Sequence, residues 1–398
     1  MAKQLGDRYS RRRKIAIIVT LGLLTGLGPF TIDLYLPAFP AIKLDLGLTD
    51  PQVQLTLSAT VIGFAVGQLL VGPVSDRVGR KLPLMAMTTL HVAASVLVAL
   101  ASNLEFLAAM RSLQGIGAAG GSVVAMAMAR DLFSGSRLMR MLARLALING
   151  LAPIVAPIFG SWMVAVMDWR GIFWALALYG ATIIALSAAF LVETRPAGER
   201  SSGGIGSILV SYRVVLGDRQ YVGALLAGAF AFAGLFSYVS TSSVLLQEGY
   251  GLGVQAYGAV FAVCSFGVLI GVQLGSRLHR LSSSSILRAG AGVMVASGVA
   301  LVTVSLLSGS LWLLVPLMFV YTTGFGACMP NAQVLALTNH RENSGVAASL
   351  MGASNMGLAA VVGPVIGTFD TTSAMPMAVG MLILAALASA STLLVIRR

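Results

Sequence analysis

The chain has 398 residues, 57% of them hydrophobic and only 10% charged. Soluble domains carry about 25% charge, so this composition excludes an ordinary soluble protein and indicates a polytopic helical membrane protein. The formal net charge of +12 is not a nucleic-acid signature, because the basic residues recur as short clusters between apolar runs, the arrangement that sets membrane topology.

The first cluster, Arg11-Arg12-Arg13-Lys14, precedes an apolar stretch too long for the core of a cleavable signal. It reads as a cytoplasmic tail before a retained first span. A membrane-crossing helix needs ~20 mostly apolar residues. That rule predicts about twelve spans, near 15–40, 52–75, 82–101, 105–130, 138–166, 171–192, 220–246, 253–276, 285–307, 311–337, 343–369 and 374–395. With the N-terminus in the cytoplasm, every Lys and Arg except Lys43, Arg111 and Arg170 falls in a cytoplasmic segment. So steep a bias supports an even number of spans with both termini cytoplasmic. Trp162, Trp169, Trp174 and Trp312 fall at predicted outer ends, where an interfacial aromatic belt is expected. Cys264 and Cys328 lie in apolar runs and suggest neither a disulfide framework nor a metal site.

Between spans six and seven the pattern breaks at Glu193-Thr194-Arg195-Pro196 and Ser201-Ser202-Gly203-Gly204. There follow Ile205, Ile208, Leu209, Tyr212, Val215 and Leu216 at helical spacing, with Arg213 and Arg219 alongside. The expectation is a cytoplasmic linker with a helix lying on the membrane surface. The predicted organisation is an all-α membrane protein of two pseudo-symmetric six-helix bundles, 1–192 and 219–398, joined by a linker over 193–218. The halves echo each other. Leu151-Ala152-Pro153-Ile154-Val155-Ala156-Pro157 resembles Leu358-Ala359-Ala360-Val361-Val362-Gly363-Pro364, and Gly115-Ile116-Gly117-Ala118 resembles Gly324-Phe325-Gly326-Ala327. Arg77-Val78-Gly79-Arg80 recurs weakly as Arg277-Leu278-His279-Arg280. Parallel six-span repeats are a feature of rocker-type transporters with a site near the midplane.

Two ionisable residues sit inside this lipid-grade sequence, Asp33 in span one and Arg111 in span four. Such groups cost ~2.5–3.5 kcal/mol each at a span centre and usually mark an ion or substrate path. Asp33 lies ~28 Å along a helix from Lys14, and Arg111 ~9 Å in from Glu105, so their depths are comparable and a pair is geometrically feasible. Gln68, His91, Gln114, Asn149 and Asn355 are further polar residues within spans. Each is a candidate for lining a cavity or for bonding to a neighbouring helix, and His91 is also a candidate proton relay. On the pairing of the Gly-x-Gly-Ala segments, Arg111 corresponds to Val320, so the second half is expected to contribute shape and aromatic contact. Phe230, Phe232, Phe236 and Tyr238 in span seven and Phe261 and Phe266 in span eight are the candidates.

The segment Gly72-Pro73-Val74-Ser75-Asp76-Arg77-Val78-Gly79-Arg80-Lys81 is similar to the loop signature of the major facilitator superfamily, G-x-x-x-D-R-x-G-R-[KR]. Gly72 and Gly79 are expected to permit tight turns, Asp76 to bond the positive end of a helix, and Asp131 to pair with Arg77 or Arg80. With Asp33-Leu34-Tyr35-Leu36-Pro37, Gly67-Gln68, Arg111-Ser112-Leu113-Gln114-Gly115 and Trp169-Arg170, the chain resembles the Bcr/CflA drug-resistance transporters over nearly its whole length. That resemblance implies the superfamily fold and a drug:proton antiporter of the bacterial inner membrane, exporting bicyclomycin, chloramphenicol-type compounds or sulfonamides. It carries the Gly72–Lys81 segment and Asp131 over as a conformational latch. It also implies an antiporter motif in span five at Pro153, Pro157 and Gly160. Here Ala152-Pro153 and Ala156-Pro157 replace the usual Gly-Pro pair, and Gly363-Pro364 stands in span eleven instead.

On this reading Asp33 takes up and releases the coupling proton in alternation with drug, Arg111 biases its charge state, and Asp33, Tyr35, Gln68, His91, Arg111, Gln114, Phe236, Tyr238 and Phe261 bind substrate. No cofactor beyond the proton, no metal and no nucleic acid is expected, and the protein is expected to act as a monomer in the bilayer. A metabolite or amino-acid exporter of the same fold is the alternative. No nucleophile–base set, metal cluster or phosphate loop suggests an enzyme.

Overall fold

The computed structural model describes residues 10–196, 198, 212–278, 280–307, 309–340 and 344–395, the side chain of Arg11 excepted. All regular elements among them are helical. Helix α1 (Arg11–Asp33) is followed by a 3-10 turn (Leu36–Ala38) and the short α2 (Phe39–Leu46). Then come α3 (Asp50–Val78), α4 (Lys81–Ala99), α5 (Leu104–Leu132), α6 (Gly135–Val166) and α7 (Arg170–Phe190). A helical segment at 212–216, α8, precedes α9 (Arg219–Val244), which ends in a π-helical turn (Leu245–Gly249). Helices α10 (Val254–Arg277), α11 (Ser283–Leu307), α12 (Leu311–Leu337), α13 (Ser344–Gly367) and α14 (Ala374–Val395) complete the order. Twelve of these are long and apolar enough to cross a membrane, with α1 and α2 counted as one. The expected surface helix over Ile205, Ile208 and Leu209 lies outside the described residues.

Span one is not the single helix predicted. It breaks after Asp33, and Pro37 and Pro40 are the cause. A proline removes a backbone N–H and biases the preceding residue away from helical angles. Pro40 is accommodated in the first turn of α2, where the missing donor has no intrahelical partner to lose.

The helices form two compact units. One unit comprises residues 1–35 and 59–202, and the other comprises 36–58 and 203–398. The hairpin 36–58, which joins the first two spans, packs with the second-half helices. In the first unit α5 packs on α4 and α1, and α4 on α7. In the second, α12 packs on α11, α10 and α9, while α14 packs on α9 and α11.

Small residues set the helix crossings. A Cβ on Gly115 of α5 would lie 2.0 Å from the Thr60 carbonyl oxygen of α3, and one on Gly63 would lie 2.0 Å from that of Ser112. In the second unit a Cβ on Gly326 would lie 2.1 Å from the Val268 carbonyl oxygen, and one on Gly271 would lie 2.0 Å from that of Thr323. The α3–α5 crossing is thus repeated by α10–α12, but with Gly115 matching Gly326, not Gly324. Arg111 therefore corresponds to Thr322, not to Val320. The Thr322 hydroxyl donates to the Cys264 carbonyl at 2.7 Å.

The aromatic belt also needs one correction. Trp162, Trp174 and Trp312 are exposed on the helix bundles, but Trp169 is buried. It meets Phe173 edge-on at 5.8 Å and carries the Arg170 guanidinium 4.3 Å above its ring.

Candidate functional site

Asp33 is the last residue of α1, where the chain leaves the helix within the first stretch long and apolar enough to cross a membrane. Its side chain is 6% exposed, and among the described residues nothing hydrogen-bonds to or ion-pairs with its carboxylate. The pairing with Arg111 considered from the sequence is absent.

Arg111, on α5, is fully buried. Its Nη1 donates to the Thr31 carbonyl of α1 at 3.2 Å and to Gln114 Oε1 at 2.5 Å. The guanidinium carbon stands 4.3 Å from the centroid of Tyr35 and 5.5 Å from that of Phe173. Desolvated cation–π contacts of this kind are worth about 2 kcal/mol and offset part of the cost of burying the charge. Nε and Nη2 have no partner among the described residues. Arg111 is thus tied to the turn of α1 that carries Asp33, through backbone and rings, without touching the acid.

Behind Arg111 runs a chain of buried polar groups between α4 and α5. Gln114 Nε2 donates to Ser95 Oγ at 2.8 Å, Ser95 Oγ donates to the His91 carbonyl at 2.7 Å, and His91 Nδ1 lies 3.4 Å from the Gln114 carbonyl. Tyr35, His91, Arg111 and Gln114, expected from the sequence to contact substrate, are enclosed by helix packing in this structure. All four are sealed at 0% exposure, because each satisfies another buried group inside the helix packing. Gln68 on α3 is half-buried, with its Oε1 unpartnered among the described residues.

In the second unit the aromatic candidates divide into two groups. Tyr238 of α9 stacks on Phe261 of α10 with centroids 5.3 Å apart, and Tyr257 joins them at 6.0 Å. Phe236 instead packs with Phe232 at 6.3 Å. Tyr238, Phe236 and Phe261 are all buried, while Phe266 is exposed.

The signature segment forms a tight ionic cluster at one end of the first unit. Its loop shrinks to Gly79 and Arg80, and Gly79 adopts φ +102°, a left-handed angle suited to glycine. Gly72 does not form the expected turn. It lies within α3, where an added Cβ would meet Val123 at an ordinary 3.7 Å. Asp76 does not cap a helix either. It pairs with Arg80 Nη1 at 2.7 Å and with Arg195 Nη1 at 2.6 Å. Of the two partners considered for Asp131, Arg80 is observed, with Nε at 3.0 Å.

The sequence reading missed the three residues that close this cluster, having assigned Glu193-Thr194-Arg195 to a linker. Glu193 accepts from the backbone N–H groups of Arg80 and Lys81 at 2.8 and 3.1 Å, and the Thr194 hydroxyl donates to Asp131 at 2.9 Å. Burial works to raise the Glu193 carboxyl, but the N–H groups of Arg80, Arg195, Lys81 and Thr194 outweigh it and hold the group below its ordinary value. Lys81 Nζ donates to the Leu191 carbonyl at 2.8 Å. An acid, a hydroxyl and a base in a polar stretch at a helix end were the available signal. Pro153, Pro157 and Gly160 lie within one unbroken α6, which packs on α1. Ala152 and Ala156 beside the prolines are buried.

The comparisons with known proteins agree with this architecture. The family profile described as Major Facilitator Superfamily matches residues 21–364. A Bacillus subtilis protein named "Uncharacterized MFS-type transporter YdgK" is 33% identical over 384 residues, covering 95% of this chain and 94% of that one. A Haemophilus influenzae "Bicyclomycin resistance protein homolog" is 30% identical over 362 residues, covering 90% and 91%. "Multidrug resistance protein MdtL" of Escherichia coli is 30% identical over 346 residues, covering 85% and 86%. Among solved structures, a D-xylose-proton symporter superposes with a TM-score of 0.73 at 14% identity, covering 94% of this chain and 97% of that one. A bacterial homolog of the human lysosomal transporter Spinster superposes with a TM-score of 0.67 at 15% identity, covering 97% and 95%. The two structural likenesses establish the fold, while the sequence relatives narrow the group. The chain belongs to the Major Facilitator Superfamily as a membrane transporter of the Bcr/CflA type, and it is not an enzyme.

Proposed function

We propose that this transporter exports small amphipathic antibiotics, of the bicyclomycin or chloramphenicol type, across the bacterial inner membrane in exchange for protons, with its N- and C-termini in the cytoplasm. The observation that carries the reading is Asp33, a carboxylate at a helix break within a stretch long and apolar enough to cross a membrane, with no hydrogen bond or counter-ion among the described residues. A charged group is costly there, and one with no structural partner fits a proton carrier better than a scaffold. The drug class rests on the printed names of two relatives that match most of the chain, the bicyclomycin resistance homolog and MdtL.

Arg111 acts in this reading as a positioning residue. It fixes the Thr31 carbonyl and the Tyr35 ring on either side of Asp33, so movement of α1 against α5 would change the surroundings of the acid. The lipid bilayer and the transported molecule are the only other partners invoked.

The test is export of an uncharged drug from cells lacking their own pumps. Asp33→Asn should lower proton-driven export at least about tenfold, a barrier change of about 1.4 kcal/mol, while the protein still reaches the membrane. Undiminished export by that variant removes Asp33 from the mechanism. If expression of the wild-type chain alters resistance to no antibiotic in a broad panel, the drug reading falls and a metabolite exporter takes its place.

A further inference from the structure

Helix α6 carries no acidic residue, and its only charged side chains are three arginines near its first end, Arg137, Arg140 and Arg144. All three are exposed. Steps of three and four residues put them on one face of a helix. The same spacing continues that face through Leu147 and Leu151 to Trp162 and Val166. Those four are exposed as well, whereas Met141, Leu145, Ala152 and Ala156, on another face, are buried. The packed face is the one through which α6 meets its neighbours, α1 foremost.

Lengths along the exposed face match a bilayer. Arg144 and Trp162 are 18 residues apart, or ~27 Å along a helix, against ~30 Å of hydrocarbon. With Trp162 at one interface, where amphipathic rings collect, Arg144 reaches the other, and Arg137 and Arg140 lie beyond it among the headgroups. Within the protein this stripe is poorly compensated. Like charges three and four residues apart on a helix repel, and cations in a first turn oppose the helix dipole. At the same end of the unit, Arg80 is held by Asp76 and Asp131, and Arg195 by Asp76. Arg140 and Arg144 pair with no acid among the described residues. Their charge is left to something outside the chain.

We propose that the stripe formed by Arg137, Arg140 and Arg144 binds anionic phospholipid headgroups, with the acyl chains lying along Leu147 and Leu151. Charge and depth together select this occupant. Three guanidinium groups within ~10 Å along the helix, at headgroup level, meet lipid phosphodiesters. Each basic residue so placed strengthens binding to an anionic surface about fivefold. A zwitterionic lipid offers the same phosphate but cancels it with its own ammonium. Bound anionic lipid relieves the repulsion along the stripe and steadies α6, which packs on α1, the helix that ends in Asp33. The proposal rests on α6 crossing the membrane and not on which molecule the chain transports.

The experiment is native mass spectrometry of the full-length protein, titrated in detergent with dioleoylphosphatidylglycerol or dioleoylphosphatidylcholine. The first phosphatidylglycerol should bind at least about tenfold more tightly than the first phosphatidylcholine. Arg140→Gln combined with Arg144→Gln should weaken phosphatidylglycerol binding about 25-fold, two fivefold losses multiplied. Arg140→Lys combined with Arg144→Lys should keep most of the affinity, because the charge is kept. Arg288→Gln removes an exposed basic residue of α11, outside the stripe, and should leave binding unchanged. An excess of inorganic phosphate should not displace the lipid. Equal binding of the two lipids overturns the proposal, as does phosphatidylglycerol binding that survives the paired Gln substitutions. So does an equal loss in the paired Lys variant or in Arg288→Gln, because the effect would then not belong to the charge of this stripe. Displacement by inorganic phosphate would mark a site for free anions and overturn the lipid assignment. Binding is read without substrate, so a lipid site that behaves as described alongside an inactive drug assay counts against the export reading alone.

Discussion

A single buried arginine carries much of the local logic. Arg111 is held by one carbonyl, one amide and two aromatic rings, so its geometry depends on a planar fork that stacks and donates at once. Lysine keeps the charge but cannot reproduce that geometry. Arg111→Lys is expected to lower the thermal midpoint of the purified protein by several degrees, through loss of about 1–3 kcal/mol as the Gln114 amide oxygen and Thr31 carbonyl lose their donor. A midpoint within a degree of wild type would show that the ring cage and the two hydrogen bonds are dispensable. The presence of Arg111 in an apolar span was legible from the sequence. Its partners were not, because Tyr35 comes from the turn after α1 and Phe173 from α7, and nothing local distinguishes a ring that stacks on a cation from one that faces lipid.

At the scale of elements, close helix contact depends on particular glycines. Gly115 and Gly326 bring their helices to the point where a methyl group would overlap a backbone carbonyl, at 2.0 and 2.1 Å. A rigid carbonyl cannot move aside as a flexible side chain can, so Gly115→Ala and Gly326→Ala are each expected to cost about 1–3 kcal/mol. Gly72 is the contrast. It belongs to the loop signature, yet an alanine methyl there makes only an ordinary contact with Val123. Folded yield after detergent extraction should fall for the first two variants and stay near wild type for Gly72→Ala. Loss of yield in the Gly72 variant would mean that the signature glycine serves a backbone geometry other than the helical one observed. The repeat of small residues in α5 and α12 was visible in the sequence, but its register was not. On letters Gly115-x-Gly117-Ala118 fits Gly324-x-Gly326-Ala327 better, and only the helix facing each glycine shows that Gly115 corresponds to Gly326.

For the whole molecule, the proposed topology puts the Gly79–Arg80 loop and both termini on the cytoplasmic side and the 36–58 hairpin on the other, as the distribution of basic residues leads one to expect. A fluorescent protein fused after Arg398 should therefore fluoresce, and alkaline phosphatase fused after Gly251 should be active outside the cytoplasm. The opposite pattern would invert the topology and move the hairpin contact to the inner face. What the sequence by itself determined is what can be counted along a line. Span length, apolar content, the side to which charges are confined and the spacing of the Gly72–Lys81 signature are local properties, and together they specify twelve spans and a transporter family. What only the tertiary structure decided is which side chains meet. Asp33 stands apart from Arg111, Arg195 closes the ionic cluster on Asp76, and the hairpin 36–58 sides with the helices of the other half. Those outcomes depend on how each helix is rotated and crossed against neighbours distant in the chain, and on where prolines interrupt α1. Hydrophobic periodicity leaves that rotation open when a helix is apolar on every face.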